Sequence, residues 1–170
     1  MNKLKFKSLG TIFIIAIALI VYAYFLAHIA TRQDNATIIK TGKYYFKLDF
    51  VGESGIKHPV YDISLSEKDT KKNIQENKTN EESLFGFHKN IFLIKSMRIT
   101  SIFTGFIFIL ITAFIFTVIY DKQLNLSKVE KRKLLPFVVC FLIICTSLSV
   151  YKINEIKKLE SDLVVYYNSI

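Results

Sequence analysis

Three stretches of this 170-residue chain are long, apolar and free of Asp, Glu, Lys and Arg: 9–29, 99–120 and 134–151. A helix rises about 1.5 Å per residue, so crossing a hydrocarbon layer of about 30 Å takes about 20 apolar residues. The three stretches hold 21, 22 and 18 residues, and each reads as a transmembrane helix. The expected fold class is membrane α-helical: three transmembrane helices, a small extracytoplasmic domain containing a β-hairpin between helices 1 and 2, and a C-terminal amphipathic helix.

Between the spans lie segments of 69 and 13 residues, and 19 follow the last span. Only the first, residues 30–98, is long enough for a water-exposed domain. A core of that size is marginal unless it leans on a membrane, a partner, a metal or disulfides. Cys140 and Cys145 both fall in the third span. Five residues apart on a helix, they point about 140° from each other and read as packing residues rather than a redox pair. The net charge of +9 would suggest nucleic acid in a soluble protein. Here the basic residues bracket apolar spans, and nucleic acid is not an expected partner. Abundant Ile, Lys, Asn and Phe with no Trp is the composition of a small bacterial protein.

Orientation follows from the basic residues, because short loops rich in Lys and Arg stay in the cytoplasm. Residues 1–8 and the loop 121–133 carry 8 Lys and Arg in 21 positions, against 15 in 88 for the segments on the other side. The N-terminus is therefore expected in the cytoplasm and the C-terminus outside, across a plasma membrane that on this composition is a bacterial inner membrane. Arg32, Lys40, Lys43, Lys95 and Arg98 flank the long segment closely and reduce the contrast. Ala16-Ile17-Ala18 has the small-x-small form of a signal cleavage site, yet it lies in the middle of an apolar run longer than the apolar core of a usual signal sequence. The first span reads as an uncleaved anchor.

Within 30–98 the hydrophobic period changes. Tyr44, Phe46, Leu48 and Phe50 fall on one face of an extended strand, with Lys43, Tyr45, Lys47 and Asp49 on the other. After the turn residues Gly52-Glu53-Ser54-Gly55, Tyr61, Ile63 and Leu65 alternate in the same way. Period two with aromatic enrichment predicts a β-hairpin over 43–65. Pro59 lacks a ladder donor, which makes the second strand an edge or bulges it there. Thr37 to Lys40 offers a third short strand. Residues 66–83 are almost wholly polar, with Ile74 the only aliphatic residue, and a mobile linker or solvated helix is expected. In 84–98, Leu84, Phe87, Ile91 and Ile94 recur at spacings of three and four, as in an interfacial segment or an extension of the second span. Ser127-Lys-Val-Glu130 has capping-box form, so the third helix should begin in the cytoplasmic loop, with Pro136 in its first turns or bending it. In the tail, 152–170, Ile153, Ile156, Leu159, Leu163, Tyr166 and Ile170 form a helical stripe. The hairpin, the membrane face or another chain must cover it.

Motifs that could carry chemistry have plainer explanations. Gly52-Glu53-Ser54-Gly55 shares its Gly-x-Ser-Gly letters with serine-protease nucleophiles, but 69 residues are too few for that enzyme fold and the letters read as a turn. His28, His58 and His88 are dispersed, with no partner four residues away and no nearby cysteine, so they read as surface or interfacial residues rather than metal ligands. The spans lack the charges that ion and proton paths use. Asn35-Ala-Thr37 and Asn77-Lys-Thr79 match the glycosylation sequon, which has no meaning in most prokaryotes. No catalytic, cofactor-binding or metal-binding residue is expected.

Contact surfaces are what the pattern leaves. Ala23 and Ala27 in the first span, and Ser101 and Gly105 in the second, are candidate helix-packing residues, because small side chains let helix backbones approach. Ile156, Leu159, Leu163 and Tyr166 form the candidate interaction surface. The expected function is protein–protein interaction by a small integral plasma-membrane protein of the accessory, regulatory, assembly or immunity and exclusion kind, not catalysis. Its expected partners are the lipid bilayer and another membrane or extracytoplasmic protein, and a homo-oligomer is compatible with this. Two alternatives differ in class. One is a subunit of an oligomeric transporter or channel, because three apolar helices cannot enclose a polar path alone. The other is a membrane enzyme acting on envelope or lipid substrates, which would need polar residues such as His58, His88, Asp49 or Asp62 to converge at the interface.

Overall fold

The structure is a computed structural model that describes residues 2–33, 36–52, 57–120 and 128–170. Its elements run α1 (Asn2–Ala27), β1 (Thr31–Gln33), β2 (Ala36–Thr41), β3 (Tyr44–Val51), β4 (His58–Ser66), β5 (Asp69–Gln75), α2 (Glu81–Tyr120) and α3 (Lys128–Ser169). They form two compact units, Met1–Tyr24 with Thr100–Ile153, and Phe25–Ile99 with Asn154–Ile170. Three expected features fall wholly or partly outside the described residues: the turn at Gly52 to Gly55 from residue 53 on, Asn35 of the first sequon, and the 121–133 loop up to Ser127 with its capping box.

The first unit is helical. Among the described residues, Glu81–Ala113 and Val139–Ser169 are long and apolar enough to cross a membrane, and Ala16–Ala27 is a shorter apolar helical stretch. Hydroxyls in these helices are satisfied within their own turn: Thr104 Oγ1 donates to the Thr100 carbonyl at 2.7 Å, Thr146 Oγ1 to Leu142 at 2.9 Å and Ser149 Oγ to Cys145 at 2.8 Å. Such back-bonding lets a helix carry Ser and Thr without exposing an unpaired polar group. Pro136 sits inside α3, which continues through it despite the missing donor.

The helix contact in this unit differs from the one the small residues suggest. Ala23 and Ala27 are exposed, Ser101 is half-buried, and among the described residues nothing beyond its own helix backbone lies within 4 Å of where a Cβ on Gly105 would sit. α1 meets α2 instead through Tyr22, whose hydroxyl is 3.1 Å from Thr100 Oγ1 and whose ring lies 5.1 Å from that of Phe103. An interhelical hydrogen bond and an aromatic pair thus join the two helices at this point.

The second unit is a two-layer domain. Its five strands form an antiparallel meander in the order β1-β2-β3-β4-β5. The register places the alternating apolar residues in two adjacent rows on one face of the sheet, Ile39, Phe46 and Ile63 in one and Leu48, Tyr61 and Ile74 in the next. Phe46, Ile39, Ile63 and Tyr44 are buried on that face, against Phe87, Ile91 and Ile94 of α2 and Leu163 and Tyr167 of α3. The hairpin expected over 43–65 is thus the centre of a larger sheet. Phe50, at the far end of β3, is 43 % exposed. The β2–β3 turn has Gly42 at φ +58° in its first central position, as a two-residue hairpin turn compatible with strand twist requires.

Residues 66–83 differ most from expectation. Instead of a linker, 69–75 form β5 and residue 81 opens α2. The edge strand is irregular: Asn73 adopts φ +56°, the register shifts between Tyr61 and Ile63, and the Asn73 N–H donates to Asp62 Oδ1 at 2.9 Å. This is a β-bulge with the twist and polarity that protect an edge from further pairing. On the inner side, Lys71 donates to the Tyr167 carbonyl at 2.8 Å and its ammonium lies 4.6 Å from the Tyr167 ring centroid. A cation therefore sits at the last turn of α3, where the helix dipole favours it.

The segment 84–98 is the amphipathic beginning of α2. Its four predicted stripe residues, Leu84, Phe87, Ile91 and Ile94, are all buried. α2 and α3 run antiparallel over this layer: Ser83 Oγ is 2.9 Å from Ser169 Oγ, and Arg98 Nη2 donates to Glu160 Oε1 at 2.8 Å. Gly86 permits the close approach, because a Cβ there would stand 2.5 Å from Tyr166 Cε1.

Candidate functional site

A groove of about 700 Å³ opens between the start of α2 and the edge of the apolar sheet face. Its position is set by how α2 begins. The Leu84 N–H donates to the Asn80 carbonyl at 2.8 Å, which makes Asn80 the cap residue. The Asn80 side chain is committed elsewhere, accepting from the Asn77 N–H at 2.8 Å and donating to the Gln75 carbonyl at 3.0 Å. The Asn77 carboxamide oxygen in turn accepts from the Thr79 N–H at 2.8 Å. This closed turn reverses the chain straight after β5, so Glu76 and Lys78 face the first turn of the helix. Glu81 and Glu82 occupy that turn, where carboxylates oppose the positive end of the helix dipole.

The walls are apolar and the rim is acidic. Phe46 and Leu48 of β3, Tyr61 of β4 and Leu84 of α2 line the interior, while Glu76, Glu81 and Glu82 are balanced at the rim by Lys78 alone. His88 lies deeper, its ring 4.7 Å from that of Phe46. Burial holds its imidazole below the ordinary histidine value, so it is neutral at pH 7 and adds no positive charge. The Tyr61 hydroxyl donates to Glu76 Oε2. Burial, with that carboxylate second, pushes the Tyr61 phenol well above its usual range. Phe85 stands at the mouth, 65 % exposed. The arrangement can hold an apolar side chain inside and a cationic group at the rim.

The sequence-predicted sites fall elsewhere. Leu163 is fully buried in the domain core, and Ile156, Leu159 and Tyr166 pack against that core. The tail stripe is therefore covered by this chain's own sheet and α2, and it is not a free docking surface. Of the polar residues considered for an enzyme, Asp49 and Asp62 lie together, while His58 and His88 lie elsewhere. Asp49 pairs with Lys47 at 2.9 Å on the outer face of the sheet, and Asp62 lies beside them. His88 contacts the opposite, inner face, and exposed His58 begins β4 opposite Val51. Glu76, Glu81 and Glu82 sit in a polar run with no periodicity of its own, so the sequence carries no signal that they share a site. The apolar spacing that marks this helix in the sequence begins only at Leu84, so the turn that carries Glu81 and Glu82 lies before it. No protein family, no curated protein and no solved structure matches this chain.

Proposed function

We propose that the chain is a multi-pass membrane protein that acts by binding another protein, and that the acid-rimmed groove of its sheet domain is the surface it uses. The membrane reading draws support from large aliphatic side chains left open on the helices, such as Ile20 at 70 %, Ile102 at 71 % and Ile109 at 63 % exposed. Surfaces of that kind need lipid or another chain to cover them. With three spans, the cytoplasmic loops are the basic ones, and the sheet domain and C-terminus face outward across a bacterial inner membrane. Accessory, regulatory, assembly and immunity or exclusion roles all fit a protein of this kind.

The observation that carries the binding reading is Phe85, an aromatic ring mostly in solvent beside an apolar groove with three carboxylates at its rim. Exposed aromatics flanking a pocket are typical anchors of protein interfaces. The charge favours a partner segment that brings Lys or Arg together with one apolar side chain. The test is affinity capture from native membranes, with retained proteins identified by mass spectrometry, comparing the wild-type chain with Phe85→Ala and with the Glu81→Lys, Glu82→Lys pair. Both variants should keep the protease resistance of the domain and lose specific partners. If both capture the same partners in the same amounts as the wild type, the groove is not the interaction surface.

A further inference from the structure

A second cavity, of about 310 Å³, lies within the helical unit, lined by Ala18, Leu19 and Tyr22 of α1, by α2 from Thr100 to Ile111, and by Phe141 and Cys145 of α3. Its lining on α2 runs from Thr100 to Ile111, a rise of about 16 Å at about 1.5 Å per residue. The two ends differ. Toward Ile111 the walls are aliphatic and aromatic, with Phe108 stacked on Phe141 at 5.4 Å. Toward Thr100 they carry hydroxyls, Tyr22 OH beside Thr100 Oγ1 at 3.1 Å and Thr104 Oγ1.

A cation stands at the hydroxyl end. Lys152 donates from Nζ to Thr104 Oγ1 at 3.2 Å. Among the described residues it has no carboxylate partner, the ion pairs being Lys47 with Asp49 and Arg98 with Glu160. Lysine at the end of a span ordinarily extends its ammonium toward headgroups and water. Helical side chains lean toward the helix N-terminus, and Lys152 follows that lean to a residue that lines the groove. A charge so placed in an apolar setting calls for an opposite charge.

We infer that this groove binds one anionic membrane lipid, with an acyl chain along the Thr100–Ile111 wall and the headgroup phosphate on Lys152. The volume falls at the small end of ligand cavities, the lining suits hydrocarbon, and the lone ammonium supplies the charge complementarity that distinguishes an anionic lipid from a neutral one. The inference rests on the membrane reading given above. It assigns this protein a lipid requirement separate from its protein partner.

The experiment is native mass spectrometry of the full chain, extracted from membranes in a nonionic detergent and offered phosphatidylglycerol or phosphatidylcholine with identical acyl chains. One phosphatidylglycerol should be retained about fivefold better than phosphatidylcholine, the factor equivalent to about 1 kcal/mol for one lysine at a lipid surface. Lys152→Gln should abolish the preference and Lys152→Arg should keep it. Filling the groove from either wall, with Ala18→Phe or Cys145→Phe, should lower retention of both lipids. Equal retention of the two lipids by the wild type, or a preference that survives Lys152→Gln, overturns the proposal. Failure of the membrane reading itself would show differently, as release of the chain from membranes by alkaline carbonate.

Discussion

His88 is the residue whose environment most directly predicts a response to pH. Its imidazole packs on Phe46, and burial lowers its pKa from the usual value of about 6.5. The unfolded chain therefore binds a proton more readily than the folded one. The stability tied to neutral His88 is complete above about pH 6.5 and is lost as pH falls through that value toward the lowered one. Thermal unfolding of the purified protein between pH 7.5 and pH 5 should show a falling midpoint, and His88→Phe should remove that part of the fall. Gly86 makes a steric prediction. A side chain there meets the Tyr166 ring at 2.5 Å, so Gly86→Val should destabilise the sheet domain by about 1–3 kcal/mol, read as a lower denaturation midpoint. A midpoint at or above that of the wild type would mean that α2 and α3 can separate at no cost.

Among the elements, β5 and the end of α3 support each other. β5 has a single aliphatic residue, Ile74, packed against the core, and it is held by its ladder to β4 and by two contacts to Tyr167. These are the Lys71 ammonium on the Tyr167 carbonyl and the Tyr167 hydroxyl on Asp69 Oδ1 at 2.5 Å. Burial, with the Asp69 carboxylate second, pushes the Tyr167 phenol up to about 12, so the hydroxyl keeps its proton and its donor role across the physiological range. Leu163, one turn before Tyr167, is fully buried. Leu163→Ala should cost about 2–5 kcal/mol, a large share of what a small domain has. Limited proteolysis should then cut within 57–75 in the variant and spare the wild type. Equal resistance in both would show that the tail is not integral to the domain. The stripe of α3 is thus a structural seam, and deletion of residues 155–170 should unfold the sheet before it affects any partner.

For the whole molecule, the expected arrangement is two regions on the same side of a membrane. Residue 66 and residue 170 belong to one compact unit, so under the proposed membrane reading both lie on the same side. Single cysteines introduced at Ser66 and Ile170, in a background with Cys140 and Cys145 replaced by Ser, should both react in intact cells or spheroplasts with a maleimide that does not cross membranes. Reaction at only one of the two would contradict the unit that joins β5 to the end of α3. Reaction at neither, with labelling appearing after lysis, would invert the orientation drawn from the basic loops.

The apolar runs, the alternation over 43–50 and 61–65, and the stripes at Leu84 to Ile94 and Ile153 to Ile170 could all be read in the sequence, because each reflects a local period of burial that a helix or strand imposes on its own residues. The amphipathic stretch from Leu84 on and the inner faces of β3 and β4 are legible for that reason, whereas the first turn of α2 at residue 81 is not. Which surfaces meet was not. β5 is built from polar residues whose stability comes from pairing with β4 and from a lysine that caps a helix 96 residues away, and no local period records such a contact. The small-residue stripe looked like a packing face, yet the contact passes through Tyr22, Thr100 and Phe103, because close packing depends on the partner helix as much as on the stripe itself. The groove at Phe85 and the lysine at the edge of the helical cavity gather residues from three or more separate elements. Only the tertiary fold could bring them together, because charge complementarity and enclosure belong to the space between elements and not to any one of them.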